Sequence, residues 1–285
     1  MLNILTASLM ALQPVHLAAG EFTHLTIGET VTLSILDQEH TINVILPPDY
    51  HDDPERTWPV VYMLDGGVSQ DLFMGAGVAH WNQMWGRSQQ VIWVGIETKD
   101  RQRELLPPTR DEAEAFNFST AGEALEFRDW LITKVTSTIE GRYRVNGTDY
   151  LVGESAAGHF VLETWLTAAP AFDGYAAISP SLQWDFEALS VRVERADGWR
   201  PPLYLSLADE GGATQSGILR VVASMDAKDA RQSWCFSDRR NELKHATALH
   251  GLLPEALQFL MPTDADWLEE FGFELRCDQS GVPAE

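Results

Sequence analysis

A serine lies within a short run of small residues, in a setting that could make its hydroxyl a nucleophile. The segment GESAAG, residues 153–158, follows a predicted strand at residues 150–152 and leads into a predicted helix at 158–168. Strand and helix backbones approach closely at such a turn, so the flanking residues must be small, and strain in the turn exposes the hydroxyl. Ala157 replaces the last glycine of the G-x-S-x-G pattern, which makes Ser155 a near match. The alternative is a serine that only caps the helix.

A serine hydroxyl needs a neighbouring imidazole to take its proton, and in this order of elements that histidine follows an acidic residue. Three histidines follow the serine in the chain, namely His159, His245 and His250. His159 belongs to the helix of the nucleophile and should point away from the hydroxyl. We select His245, which is predicted in a loop before a final helix at 252–260, over His250, which we interpret as a helix-entry residue.

The acid should follow the strand that lies between the serine and the histidine, where it fixes the imidazole tautomer and stabilises the imidazolium. The predicted strand at 204–207 is followed by Asp209 and Glu210. We select Glu210, although either carboxylate could reach the histidine. The other one is then expected to lie in solvent.

The tetrahedral intermediate of acyl transfer needs two backbone N–H donors, each worth on the order of 3 kcal/mol to the transition state. One donor is predicted to be the amide of Ala156, directly after the nucleophile. The other is predicted in the loop after a strand at 60–64, where glycine lets the backbone approach a ligand. Gly67 is our choice and Gly66 the reserve, and an ordinary glycine turn is the alternative.

Short β-branched or aromatic runs predict strands that alternate with helices. The strands are predicted at residues 41–46, 60–64, 91–96, 150–152, 175–178, 204–207 and 234–236, and the helices at 121–139, 158–168 and 252–260. This alternation predicts an α/β fold with a mostly parallel central sheet and helices on both faces. No linker interrupts the pattern, so we expect one domain over residues 20–285.

The composition limits the partners of the protein. The chain of 285 residues has 42 acidic and 20 basic residues and a formal net charge of −22, which repels nucleic acids and anionic lipid surfaces. We therefore expect a small-molecule partner and no nucleic acid. No metal or organic cofactor is expected, because catalysis by a serine nucleophile needs none. A zinc hydrolase that uses His245 and His250 is a further alternative, but it lacks a convincing third ligand.

The N-terminal segment and the cysteines bear on the compartment. Residues 1–19 form an apolar run that ends in small residues, similar to a secretory signal, but no Lys or Arg precedes it. The run is too short and too broken for a spanning helix, so integral membrane association is not expected. We place periplasmic or secreted locations slightly ahead of the cytoplasm. Cys235 and Cys277 are interpreted either as one disulfide or as two buried thiols.

With these residues placed, the sequence resembles the putative esterase family of α/β-hydrolases, and within it the siderophore-esterase-like predicted hydrolases. The stretches that carry the resemblance are residues 44–50, 59–66, 95–110, 142–145, the serine turn at 153–158, and 172–184. The resemblance implies a serine carboxylester hydrolase that forms an acyl-enzyme on Ser155. An acyltransferase with the same triad and a catalytically silent binding protein of the same fold are the alternatives.

Two positions depart from the siderophore-esterase branch. Gln183 stands where that branch commonly has an aromatic residue, and Glu154 stands where it commonly has His. Both departures affect the expected substrate more than the chemistry. Trp184 is predicted to line an aromatic substrate pocket and Arg101 to pair with a substrate carboxylate, with core packing and a structural salt bridge as the respective alternatives.

Overall fold

A nine-stranded sheet forms the centre of the computed structural model, which describes residues 23–168, 171–198, 200–227 and 232–281. The strands are β1 (Glu29–Ile35), β2 (Gln38–Ile45), β3 (Trp58–Leu64), β4 (Ile92–Ile96), β5 (Val145–Glu154), β6 (Gly174–Ile178), β7 (Leu203–Leu207), β8 (Trp234–Asp238) and β9 (Gln279–Gly281). Their spatial order is β1-β2-β4-β3-β5-β6-β7-β8-β9. Strands β3 to β8 are mutually parallel, whereas β1, β2 and β9 pair in antiparallel fashion at the two edges.

Helices cover both faces of this sheet. They are α1 (Leu72–Met84), α2 (Arg101–Leu105), α3 (Glu112–Asn117), α4 (Ala124–Trp130), α5 (Thr136–Glu140), α6 (Ala156–Thr167), α7 (Trp184–Arg195), α8 (Gly212–Asp226) and α9 (His245–Leu260). A π-helical segment, Leu131–Val135, joins α4 to α5. None of the helices in the described ranges combines the length and the apolar character that crossing a membrane requires.

The buried strands separate two apolar layers by the alternation of their side chains. In β3, Val60 and Tyr62 pack into the layer that contains Phe127 of α4, whereas Val61 and Met63 pack into the layer below α1 and α9. Because successive side chains of a strand point to opposite faces, a strand buried on both sides must be apolar throughout. This is why β3 reads as the continuous run WPVVYML, in which every residue is buried.

The predicted fold class is confirmed: the sheet is mostly parallel and carries helices on both faces. The sequence analysis did not identify the edge strands β1 and β9. It also placed His245 in a loop, which is wrong, because this histidine is the first residue of α9. Cys235 and Cys277 form a disulfide that ties β8 to the segment before β9, and the predicted leader at 1–19 lies outside the described residues.

Candidate active site

Three neighbouring parallel strands end in residues with strained backbones. Asp65 follows β3, Ser155 follows β5 and Ser179 follows β6, and their φ angles are 55°, 61° and 41°. Positive φ is rare for residues other than glycine and costs energy that the surrounding structure must offset. The carboxyl ends of parallel strands share one edge of the sheet, where open α/β sheets bind their ligands. The strain is therefore concentrated where a functional site is expected.

The turn around Ser155 depends on small neighbours, as its sequence predicts. A Cβ added at Gly153 would lie 2.7 Å from the backbone of Ala157, and one added at Gly158 would lie 3.0 Å from the carbonyl oxygen of Ile178. The Ser155 N–H donates to that same Ile178 carbonyl over 3.0 Å. The chain thus turns sharply from β5 into α6, with Ser155 between the two elements.

A second serine lies next to the Ser155 hydroxyl. The Oγ atoms of Ser155 and Ser181 are 3.2 Å apart, and the Ser181 N–H donates to the Ser155 carbonyl over 2.9 Å. Ser181 belongs to the loop after β6. This loop lies within residues 172–184, which carry the family resemblance, but no role was predicted for the serine.

His245 is oriented by a carboxylate that is itself fixed by a serine. Its Nδ1 atom lies 2.7 Å from Oε1 of Glu210, and the Ser179 hydroxyl donates to the same oxygen over 2.5 Å. The Ser179 oxygen in turn accepts the Ala208 N–H over 3.1 Å. The Glu210 side chain is only 10% exposed, compared with 44% for His245. With Nδ1 engaged, Nε2 is the ring nitrogen left to exchange a proton with another group.

The other candidates for base and acid are placed elsewhere. Asp209 forms an ion pair with Lys244 at the surface, so the structure brings Glu210, and not Asp209, to the imidazole. His159 is buried in α6, and its Nδ1 lies 3.0 Å from the Ser181 carbonyl oxygen. His250 is exposed on α9, one turn beyond His245.

Ser155 and His245 line the same cavity, which has a volume of about 370 Å³. This active-site cavity is lined by Met63, Leu64, Asp65, Gln70, Asp71, Arg101, Glu154, Ser155, His245 and Leu249. The two groups reach it from β5 and α9, which are far apart in the sequence. Within the described ranges, no group of three or more His, Cys, Asp or Glu side chains is arranged to hold a metal ion.

The charges around the imidazole favour its protonated form. The hydrogen bond that His245 donates to Glu210 is the largest effect that raises the pKa of His245 above 6.5, and Coulomb attraction from Glu210 and Glu154 adds to it. Desolvation opposes the charge on Glu210, but hydrogen bonds from His245 and Ser179 outweigh it and lower the pKa of that carboxyl. Glu210 is therefore an anion that stabilises an imidazolium.

The amides predicted to bind an oxyanion differ in their availability. Ala156 is the first residue of α6, where a helix leaves the backbone N–H without an intrahelical acceptor. The Gly66 N–H donates to the Ile96 carbonyl over 2.8 Å, whereas the Gly67 N–H meets the side-chain Oε1 of Gln70 over 2.9 Å. A side chain can rotate away from an amide more easily than a sheet carbonyl can withdraw, so Gly67 is the better placed of the two glycines.

The two residues predicted to bind substrate lie in different places. Arg101 lines the active-site cavity, where its Nε donates to Asp65 over 2.8 Å and its terminal NH2 donates to the Glu154 carbonyl over 3.1 Å. Trp184 is 2% exposed and lines a separate cavity, with its indole N–H donated to the Pro107 carbonyl. Substrate contact by Trp184 stays a prediction, and the structure does not bring this residue to the cavity of Ser155.

Several solved structures share this fold. An IroE-like serine hydrolase from Shewanella oneidensis has 23% sequence identity and a TM-score of 0.69, with 82% of this chain and 80% of that chain covered. The BES protein from Bacillus cereus has 16% identity and a TM-score of 0.70, with 86% and 100% covered. The siderophore hydrolase EstB from Aspergillus nidulans has 18% identity and a TM-score of 0.67, with 87% and 100% covered. At these identities the likeness concerns the fold.

The sequence itself matches a family model over residues 34–247, which is well over half of the chain. The matched region begins in β1 and extends past His245, so it contains every residue of the active-site cavity except Leu249. No curated protein is detectably similar to the chain. The family model is that of the putative esterases, and we conclude that the chain belongs to this family and is a carboxylic ester hydrolase of the serine esterase type.

Proposed function

We propose that the protein hydrolyses a small-molecule carboxylic ester through an acyl-enzyme on Ser155, with His245 as general base and Glu210 as the acid that orients it. The observation that carries this proposal is that His245, held by Glu210 over 2.7 Å, lines one cavity with a serine at a strained strand-to-helix turn. A serine nucleophile, a base and a group that orients the base form the minimum set for this chemistry.

In the acylation half-reaction, Ser155 Oγ forms a bond to the ester carbonyl carbon while His245 takes the hydroxyl proton. The amides of Ala156 and Gly67 stabilise the oxyanion, and the substrate oxygen replaces Gln70 Oε1 as the acceptor of the Gly67 N–H. The C–O bond to the alcohol then breaks, and the imidazolium returns its proton to the leaving oxygen. In deacylation, His245 takes a proton from a water molecule whose oxygen attacks the acyl carbon. The bond to Ser155 Oγ then breaks, this oxygen regains its proton from His245, and the carboxylic acid is released.

A mechanism-based label tests this proposal. Ser155 Oγ should attack the phosphorus of a fluorophosphonate, displace fluoride and give up its proton to His245, which leaves one covalent adduct per chain. An activated serine is far more nucleophilic than an ordinary hydroxyl. We expect intact-mass and peptide analysis to place the adduct on Ser155, in step with the loss of 4-nitrophenyl acetate hydrolysis. The Ser155→Ala variant serves as the control. An adduct on another residue, or labelled protein that keeps its activity, would contradict the proposal.

The acid limb of the pH profile reports on the base. Only neutral His245 can take the serine proton, and its pKa is raised above 6.5. We therefore expect kcat/KM to fall as the pH drops through a value above 6.5. Glu210, Glu154 and Arg101 are the charged groups that act on this ring, so removal of one negative charge in Glu154→Gln should move the limb to lower pH. An acid limb that stays in place or moves to higher pH in Glu154→Gln would exclude His245 as this base.

A further inference from the structure

The residue immediately before the nucleophile carries a carboxyl group that no other side chain uses. Glu154 is the last residue of β5 and lies on the wall of the active-site cavity beside Ser155. Among the described residues, its carboxyl has no hydrogen-bonding or ion-pairing partner. Its electrostatic neighbours are His245, Arg101, Asp71 and Asp65, all of which line the same cavity.

Among the described residues that line this cavity, Arg101 is the one that carries a permanent positive charge, and it is already hydrogen-bonded. Arg101 donates its Nε to Asp65 over 2.8 Å and a terminal NH2 to the Glu154 backbone carbonyl, not to the Glu154 carboxyl. Asp71, at the start of α1, also lacks a side-chain capping bond and a partner within the described part of the chain. His245 is engaged by Glu210. Glu154 and Asp71 therefore line the cavity of Ser155 without a hydrogen-bonded or ion-paired cation among the described residues, and the cationic groups that act on them do so only through space: His245 and Arg101 on Glu154, and His250 and Arg101 on Asp71.

Such an arrangement is unfavourable for carboxyl groups that are partly withdrawn from water. Desolvation is the largest cause that raises the pKa of Glu154, to about 7, and it also raises the pKa of Asp71, where the negative charge of Asp65 adds to it. A partly buried carboxylate gains most from a ligand that brings the missing positive charge. An anionic group on a substrate would meet repulsion from the same two residues.

We propose that Glu154 is a specificity-determining residue that selects esters carrying a cationic group, such as an ammonium, close to the scissile carbonyl, with Asp71 contributing to the same selection. This inference rests on the proposed esterase function and deepens it by naming the substrate class. The cationic group stands in the acyl part or in the alcohol part of the ester, and the two have the same chemistry towards a carboxylate.

Matched pairs of esters test the charge preference and identify the side on which the cation stands. Acetylcholine and its uncharged carbon isostere 3,3-dimethylbutyl acetate vary the alcohol part. The 4-nitrophenyl esters of 4-(trimethylammonio)butanoic acid and of its uncharged carbon isostere, 5,5-dimethylhexanoic acid, vary the acyl part. The assays are run at alkaline pH, where Glu154 is ionised. In at least one pair, kcat/KM for the cationic ester should exceed kcat/KM for the neutral ester by about tenfold, which is the effect expected of one partly desolvated charge pair.

Variants assign this preference to the cavity carboxylates. Glu154→Gln should lower the cation-to-neutral ratio of kcat/KM to about one third or less of the parent value, and Asp71→Asn, which removes the other unpaired charge, should lower it as well. Glu126→Gln is the matched control, because Glu126 is an exposed glutamate of α4 that does not line this cavity, and it should leave the ratio unchanged.

The outcomes separate this inference from the function on which it rests. A ratio near one in both ester pairs, or a ratio that folded Glu154→Gln leaves unchanged, overturns the inference even if the neutral esters are hydrolysed. Failure to hydrolyse any of the four esters, together with failure to react with a fluorophosphonate, overturns the proposed function instead. If Glu154→Gln does not fold, Asp71→Asn and the parent protein still decide the question.

Discussion

Replacement of Ser155 by alanine is expected to lower kcat/KM for 4-nitrophenyl acetate by about five orders of magnitude. Without the nucleophile, the covalent route is closed and only the oxyanion donors and substrate binding remain to assist water. The change removes one oxygen from a residue whose backbone N–H is held by Ile178, so the fold should persist. Steady-state kinetics together with circular dichroism would check both expectations.

The neighbouring serine supplies the control for this experiment. Ser181 Oγ lies 3.2 Å from Ser155 Oγ, but Ser181 does not line the cavity that Ser155 shares with His245, so Ser181→Ala should change kcat/KM by less than about tenfold. A second check compares a double variant with a single one. If Ser155 and His245 act as one unit, the variant with both Ser155→Ala and His245→Ala should have the same kcat/KM as Ser155→Ala alone. Full activity in Ser155→Ala, or an equally large loss of activity in Ser181→Ala, would show that Ser155 is not the nucleophile.

The turn at Ser155 was predictable because its determinants are local. A strand, a serine with four small residues around it and a helix lie within about twenty consecutive residues. The close contacts at Gly153 and Gly158 are made by their own chain neighbours and by the adjacent strand β6 with the loop that follows it. The parallel sheet was predictable for a similar reason, since buried strands such as β3 are continuously apolar. Local sequence is sufficient where the structural constraint is local.

The start of α9 could not be found from such signals. Lys244 precedes the helix where Ser, Thr, Asp or Asn usually stands, and the capping contact comes instead from Thr247, whose side chain accepts the Lys244 N–H over 3.1 Å. Pro254 is tolerated best in a first turn, yet it lies in the middle of this helix. Its missing N–H would have bonded the carbonyl of His250, a residue exposed to solvent.

The hydrogen bonds around Glu210 could not be predicted from the sequence either. Ser179 and Glu210 follow different strands, and only the pairing of β6 with β7 brings the hydroxyl within 2.5 Å of the carboxylate. The sequence analysis noted that Glu154 departs from a related branch, but the lack of a partner for its carboxyl is a fact of three-dimensional packing. Residues that act through long-range neighbours need the assembled sheet before a role can be assigned.

Glu210→Gln is expected to lower kcat by about a thousandfold or more, whereas Asp209→Asn should change it by less than about threefold. Glutamine keeps the length of the side chain but lacks the negative charge that stabilises the imidazolium and fixes its tautomer. Asp209 is 45% exposed and pairs with Lys244 at the surface, so its charge does not act on the ring. Steady-state kinetics on the two adjacent variants, each lacking one charge, would measure the difference.

The pH profile of Glu210→Gln distinguishes loss of the acid from general damage. The hydrogen bond to Glu210 is the largest cause of the raised pKa of His245, so its charge-neutral replacement should move the acid limb of the residual activity to lower pH. Misfolding would reduce the active fraction without moving the limb. Glu154 still attracts the imidazolium in this variant. The acid limb should therefore move to a still lower pH in the double variant Glu210→Gln with Glu154→Gln. Equal losses in Glu210→Gln and Asp209→Asn, with both limbs unmoved, would exclude Glu210 as the acid of the triad.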